Sequence, residues 1–480
     1  MPLKAKILDP RIAPRAQMST KVNEIIKELP GDEPEDVLFT NLLGLRTVEL
    51  NRPQKFNALN GSMIRKIIPR LVEWERSDMA NVVVMKGAGQ AFCAGGDVAA
   101  LADLNAQGAK GQQKSTEYFA LEYKLDHYIA TYQKPYISFM DGITMGGGVG
   151  LSIHAPFRVA TENTVFAMPE TTIGFFPDVG ASFFLPRMPG FVGTYLALTS
   201  ERLKGANVFY SGIATHYLHS TSLPILESRL AELRFRDYDS MEFRLKLIEM
   251  TIEEYATGLP PLDREPIKLG GEIRNAIDRC FSKQTVPEIM AALQQEEGLT
   301  KEWAEKTLAT LHQRSPTAVH VALRQMQLGR DWNIDQTFQR EHQIAARFMQ
   351  HPDFVEGVNA QLKKPRRTPV WQPASLEEVP AGGAISEPFF QTSEADAQKL
   401  RLLVDRHSYF EYPHAYVGSP SETEIELFVK DNTATRKQVV GEFVQRKRGR
   451  QGIKTIVEEV LDRKTTKDSE GVLSWVASKE

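Results

Sequence analysis

Cysteine is nearly absent from this chain, with only Cys93 and Cys280 in 480 residues. Two cysteines cannot build a disulfide framework or a cysteine-rich zinc site, and so low a count suits a reducing compartment. A surplus of positive charge is missing too. Lysine and arginine total 58 against 61 acids, a formal net charge of −3. That excludes a globally basic nucleic-acid binder and leaves any polyanion contact to a local patch. No apolar run is long enough to span a bilayer. The closest, residues 142–153, is glycine-rich and bracketed by Asp141 and His154. No apolar signal region follows Met1. The ten histidines are scattered and contain no H-E-x-x-H pair, so metal catalysis has no anchor. Residues 108–115 read Gly-Ala-Lys-Gly-Gln-Gln-Lys-Ser, without the adjacent Gly-Lys of a phosphate loop.

What is present is a long, ordinary globular chain. Hydrophobic residues make up 42%, and the length allows two to four units. Residues 1–36 read as a polar arm. Its first 18 residues carry Lys4, Lys6, Arg11 and Arg15 against Asp9, which fits a transit segment or a solvated terminus equally. Residues 37–265 then alternate strands with helices. Residues 37–39 and 46–50 are strand-like around Gly44. Met63, Ile64, Ile67, Ile68, Leu71 and Trp74 recur at helical spacing. Residues 82–85, 136–140, 157–160 and 165–168 are short apolar runs of the kind buried in a parallel sheet. The expected class is α/β, with sites in the loops that follow the strands. From about residue 190 the pattern turns helical, with amphipathic segments at 269–279, 286–311, 317–328 and 335–350. Residues 266–378 read as a helical section of the same fold. Residues 379–480 read as a linker and a basic C-terminal extension. Within 436–454 there are seven basic residues, Arg436, Lys437, Arg446, Lys447, Arg448, Arg450 and Lys454, against the single acid Glu442. This is either a solvated helix face or a phosphate-binding patch.

Three loops follow apolar strands: residues 91–97 (Ala-Phe-Cys-Ala-Gly-Gly-Asp), 144–150 (Thr-Met-Gly-Gly-Gly-Val-Gly) and 168–180. The first two suit a backbone oxyanion hole, in which two N–H groups point at one developing negative oxygen. Glycine lets the backbone approach a ligand without a Cβ between them. The second loop reads G-x-G-x-G, not G-x-G-x-x-G, which disfavours a dinucleotide site. Glu170 and Asp178 sit in apolar company with Phe166, Met168, Ile173, Phe175 and Phe176. A carboxyl in such surroundings should ionise late, as general acid/base work requires. The other reading is a pair of turn carboxylates.

These motifs resemble the crotonase, or enoyl-CoA hydratase/isomerase, superfamily. The resemblance is carried by Asn51-Arg52-Pro53 with Asn57-Ala58-Leu59, by Phe92 to Asp97 and by Gly146-Gly147-Gly148. Residues 142–152, 168–180, 315–318 and 354–358 are similar, more narrowly, to the 3-hydroxyisobutyryl-CoA hydrolase family. The resemblance covers about 36–378. It implies a spiral of ββα units with a helical C-terminal section, binding an acyl-CoA thioester without any cofactor beyond the CoA of the substrate. It implies Gly96 and Gly147 as oxyanion donors, Glu170 and Asp178 as catalytic carboxylates, and Glu122 as a substrate contact. Gly147, Glu170 and Asp178 would also bind substrate. Hydratases of the superfamily carry a second glutamate three residues after the oxyanion glycine. That position here is Gly150, which favours thioester hydrolysis over water addition. The implied activity is hydrolysis of 3-hydroxyisobutyryl-CoA in valine breakdown, in the mitochondrial matrix and without a membrane partner. Members of this family in fungi also occur as proteins of the mitochondrial small ribosomal subunit. That alternative makes ribosomal RNA and neighbouring proteins the partners of residues 381–480.

Overall fold

In the computed structural model the described residues are 22, 24–380, 384–391 and 400–476. The basic first 18 residues and positions 381–383 lie outside them. Strands β1 (Val37–Leu42) and β2 (Leu45–Leu50) pair antiparallel around Gly44. The chain then runs through β3 (Val82–Gly87), β4 (Ala91–Cys93), β5 (Tyr136–Met140), β6 (Ile143–Met145), β7 (Phe157–Ala160), β8 (Val165–Ala167), β9 (Leu203–Lys204) and β10 (His216–Tyr217). One sheet has the order β1-β2-β3-β5-β7-β10 and a second the order β4-β6-β8-β9. Each successive pair, β3/β4, β5/β6 and β7/β8, therefore gives one strand to each sheet, and helical structure follows each pair. This is the spiral of ββα units that the resemblance implies.

The six-stranded sheet is parallel from β2 onward and buried on both faces, as parallel sheets require. In β3, Val83 and Met85 face one core while Val82 and Val84 face another, the alternation a strand imposes. The first core is closed by the helix Gly61–Arg76. All six of its predicted apolar positions are buried, and the Asn60 side chain caps it by accepting from the Met63 N–H at 2.9 Å. The second is closed by the helices Leu223–Ala231 and Met241–Glu253. The single helix expected over 286–311 is two helices, Val286–Gln294 and Lys301–His312. The break contains Gly298 at φ +62°, a conformation that ends a helix at little cost only for glycine.

The C-terminal residues are built into this body. Residues 400–417 form an arm that enters each of the three cores. Leu400 and Leu402 join the large helical core, Leu403 and Val404 the core under the helix Gly61–Arg76, and Val417 the third. Arg406 pairs with buried Glu75 and lies 5.0 Å above the Tyr128 ring. Beyond the arm, helices Glu422–Asp431, Arg436–Arg446 and Ile453–Lys464 and a short hairpin make a core of their own from Ile425, Val439, Phe443, Val457 and Leu461. That unit docks through Arg274 to Glu422 at 3.0 Å and Lys464 to Asp278 at 3.6 Å.

Five of the seven basic residues of 436–454 are tied up within the chain. Arg436 pairs with Asp462, Arg446 with Glu442 at 2.8 Å, and Arg450 with Glu249 at 2.9 Å. Lys454 lies 3.9 Å from Glu458, and the Lys447 ammonium donates to the Tyr416 and Gly418 carbonyls. The run is therefore neither a wholly solvated face nor a dense phosphate patch. One of its cations, Arg450, is answered by an acid 201 residues upstream.

Candidate active site

β4, β6 and β8 are adjacent and parallel, so the loops leaving their C-terminal ends lie side by side. This brings the three loops singled out in the sequence together. Gly95 and Gly146 have φ of +109° and +47°, backbone that an L side chain would strain. Leu59 bridges the first loop, its N–H donating to the Gly95 carbonyl and its carbonyl accepting from Asp97 N, both at 2.8 Å. In a parallel bridge that pattern turns the N–H of the residue between them, Gly96, to the opposite side. Gly147 opens the helix Gly147–Ile153, so its N–H lacks an intrahelical acceptor and sits at the positive end of the dipole. A Cβ added to Gly147 would lie 3.3 Å from the Gly96 nitrogen. Two unshielded donors thus face one small volume.

Carboxyl groups surround that volume. A Cβ on Gly146 would lie 3.0 Å from Glu170 Oε1, and one on Gly147 would meet Glu122 Oε1. Asp178 Oδ2 accepts from the Tyr123 hydroxyl at 2.7 Å, and Tyr123 neighbours Glu122 on the helix Ala109–Ala130. Glu122 is 2% exposed, and Glu170 and Asp178 are each 4% exposed. Glu122 Oε1 and Glu170 Oε2 are buried without a hydrogen-bond partner. Burial, then the Asp178 charge, pushes the carboxyls of Glu170 and Glu122 well above the ordinary range. Burial raises Asp178 to about 7, opposed by the Tyr123 hydrogen bond. All five sequence candidates, Gly96, Gly147, Glu122, Glu170 and Asp178, meet in this one place.

The structure adds three groups that the sequence reading missed. Tyr123 is the first. Asp126 is the second: it is fully buried, both of its oxygens lack partners, and they lie 2.7 and 2.8 Å from where a Cβ on Gly150 would stand. A carboxyl group therefore stands beside position 150 although the residue there is glycine. The helix Ala109–Ala130 supplies one from the side, where a glutamate on residue 150 itself would have no room. Glu341 is the third, accepting the Gly180 and Ser182 N–H groups at 2.7 and 2.8 Å. Polar residues Tyr118, Glu122 and Asp126 at i, i+4 spacing were the readable sign of a functional helix face. Glu341 left none. Between Asp178 and Gly180, buried Val179 is held at φ +56°. For a β-branched residue this costs of order 1–3 kcal/mol and persists only where the surroundings over-determine it.

The family model for enoyl-CoA hydratase/isomerase matches residues 45–389. The chain belongs to this family. Small ribosomal subunit protein mS47 of Neurospora crassa is 58% identical over 472 residues, covering 96% of this chain and 91% of that protein. The protein of Gallus gallus named 3-hydroxyisobutyryl-CoA hydrolase, mitochondrial, is 42% identical over 349 residues, 72% of this chain and 87% of its own length. Among solved structures, a carnitinyl-CoA dehydratase from Mycobacterium thermoresistibile superposes with a TM-score of 0.65 at 33% identity, covering 76% of this chain and 98% of that one. Family membership supports acyl-CoA hydrolase or hydratase chemistry, and the relatives make this chain mitochondrial.

Proposed function

We propose that this protein is a component of the mitochondrial small ribosomal subunit built on the hydrolase fold. The observation that carries this reading is the extent of its likeness to the Neurospora ribosomal protein. At 96% of this chain it takes in the C-terminal arm and helical unit, whereas the Gallus hydrolase matches 72%. The charge pattern supports contacts made chiefly with neighbouring proteins. The net charge is −3, and five of the seven cations of the basic run have partners within the chain, so the run is not a concentrated phosphate clamp. Binding should therefore weaken only modestly with salt. The test is co-sedimentation of the full chain with mitochondrial small subunits from 50 to 200 mM salt. Absence from the subunit fraction at physiological salt would sink the reading.

The intact site favours a second activity in the same chain, hydrolysis of a small 3-hydroxyacyl-CoA thioester such as 3-hydroxyisobutyryl-CoA in the matrix. Gly96 and Gly147 N–H groups would hold the thioester oxygen as it gains charge. Such donors act strongly in a dry site because they need no reorganisation. Glu170 would attack the carbonyl or take a proton from water, and Asp178 would orient the 3-hydroxyl or deliver a proton to the departing thiolate. The Asp178 carboxyl, raised to about 7, suits proton exchange near neutral pH, and burial raises Glu170 in the same direction. Glu122 would contact substrate. Glu170→Gln should lower CoA release by a factor of at least about 10²; wild-type turnover in that variant would exclude the role.

A further inference from the structure

Asp178 is aimed by a segment under strain, and the segment is held from three sides. Tyr123 holds the carboxylate itself, and Glu341 holds the Gly180 and Ser182 N–H groups. The third anchor is His154, the residue that follows the oxyanion helix Gly147–Ile153. Its ring is fully buried, lies against Gly180 so closely that no Cβ would fit there, and places Nε2 3.0 Å from the Val179 carbonyl. A carbonyl only accepts, so Nε2 carries the proton. Nδ1 is then an acceptor, and its partner at 2.8 Å is the hydroxyl of Tyr412.

Tyr412 belongs to the C-terminal arm. Its ring packs edge-on against Phe183 at 4.9 Å, and the arm's Phe410 carbonyl accepts from Arg187 Nε at 2.8 Å. The chain of contacts runs from the arm to His154, and from His154 to the carbonyl of the strained residue next to Asp178.

We infer that the C-terminal arm is a working part of the acyl-CoA site. Tyr412 is a positioning residue that fixes the tautomer of His154, and through the Val179 carbonyl His154 fixes the direction of Asp178. The catalytic consequence rests on the proposed thioesterase activity; the positional claim does not. A carboxylate that must meet both substrate and water is sensitive to small displacements of its backbone, and loss of one anchor should lower the rate of the chemical step more than the affinity for substrate.

The test is full-length Tyr412→Phe, which keeps the ring against Phe183 and removes only the hydroxyl. Amide hydrogen exchange over residues 176–184 should accelerate at least tenfold, with β3 and β5 unchanged. For thioester hydrolysis, kcat should fall about tenfold and KM should stay within twofold. Unchanged exchange at 176–184 overturns the positional claim, whatever the wild-type activity. Faster exchange with unaltered kcat overturns the catalytic one. A wild-type protein without turnover sinks the thioesterase reading instead, and exchange alone then decides the role of Tyr412. Should the variant not fold, nitrogen-15 shifts of wild-type His154 decide: protonated Nε2 with pyridine-like Nδ1 supports the relay, and the reverse tautomer overturns it.

Discussion

Asp178→Asn should stabilise this protein, and by an amount that depends on pH. The buried Asp178 carboxyl is raised from 3.8 to about 7, chiefly by burial. A group whose folded value lies above its unfolded one favours folding while protonated. That contribution is complete below about pH 4 and is lost as pH rises through 7. At pH 8 the folded state must carry the charge in full. At pH 5 the group is protonated in the fold, and the cost is only that of protonating it. The interval from 5 to the folded value is about two units at 1.36 kcal/mol each, so the advantage of Asn over Asp should grow by about 3 kcal/mol between pH 5 and pH 8. Asparagine keeps an oxygen to accept from Tyr123, so the hydrogen bond need not be lost. Buried histidines act in the opposite sense. His154 and His320 are lowered to about 4, and the stability they confer is present above pH 6.5 and lost as pH falls. Because they titrate identically in both proteins, they cancel in the difference. Urea unfolding of the two proteins at a series of pH values measures it. A difference that stays flat from pH 5 to pH 8 would refute the reasoning, because it would mean that Asp178 is charged and solvated throughout.

Two further outcomes follow from packing. Gly147→Ala would put a methyl against the Glu122 carboxylate and 3.3 Å from the Gly96 nitrogen, where the thioester oxygen should bind. Turnover in a CoA-release assay should fall by roughly 10² or more. Arg406→Met should cost about 3 kcal/mol in urea unfolding, because the Glu75 carboxylate, its side chain 4% exposed, would lose its cation and keep two neutral donors, the Tyr128 hydroxyl and the Gln133 N–H. The double variant with Glu75→Gln should recover most of that loss, and additive single effects would show that the two groups do not form a pair.

Much of the central fold was legible because its signals are local. Val82 to Met85 is a run of apolar, mainly β-branched residues, and the stripe from Met63 to Trp74 has helical period. Each needs only its own neighbours to declare itself. The glycine loops were legible for a related reason, since a backbone that must approach another group closely has few residues to choose from. The polar helix face that carries Asp126 was legible from its i, i+4 spacing, but the approach of Asp126 to Gly150, on another element, was not. Glu341 acts on Gly180 and Ser182 from about 160 positions away. The basic run misled for the same reason: Arg450 finds Glu249, 201 residues upstream, and no composition count foresees such a pairing. The arm, without a regular period, carries its meaning in a few anchors such as Leu403, Val404 and Tyr412, none of which stands out in its own sequence.

The Glu75–Arg406 pair spans 331 residues and has a bearing on how the cell could tell a finished molecule from a broken one. The helix that carries Glu75 is made 331 residues before the arginine that answers it. A chain that ends early, or is clipped within the arm, keeps a carboxylate without its cation at the end of the helix Gly61–Arg76 and loses apolar anchors from three cores at once. Such a fragment would open at that helix and invite degradation.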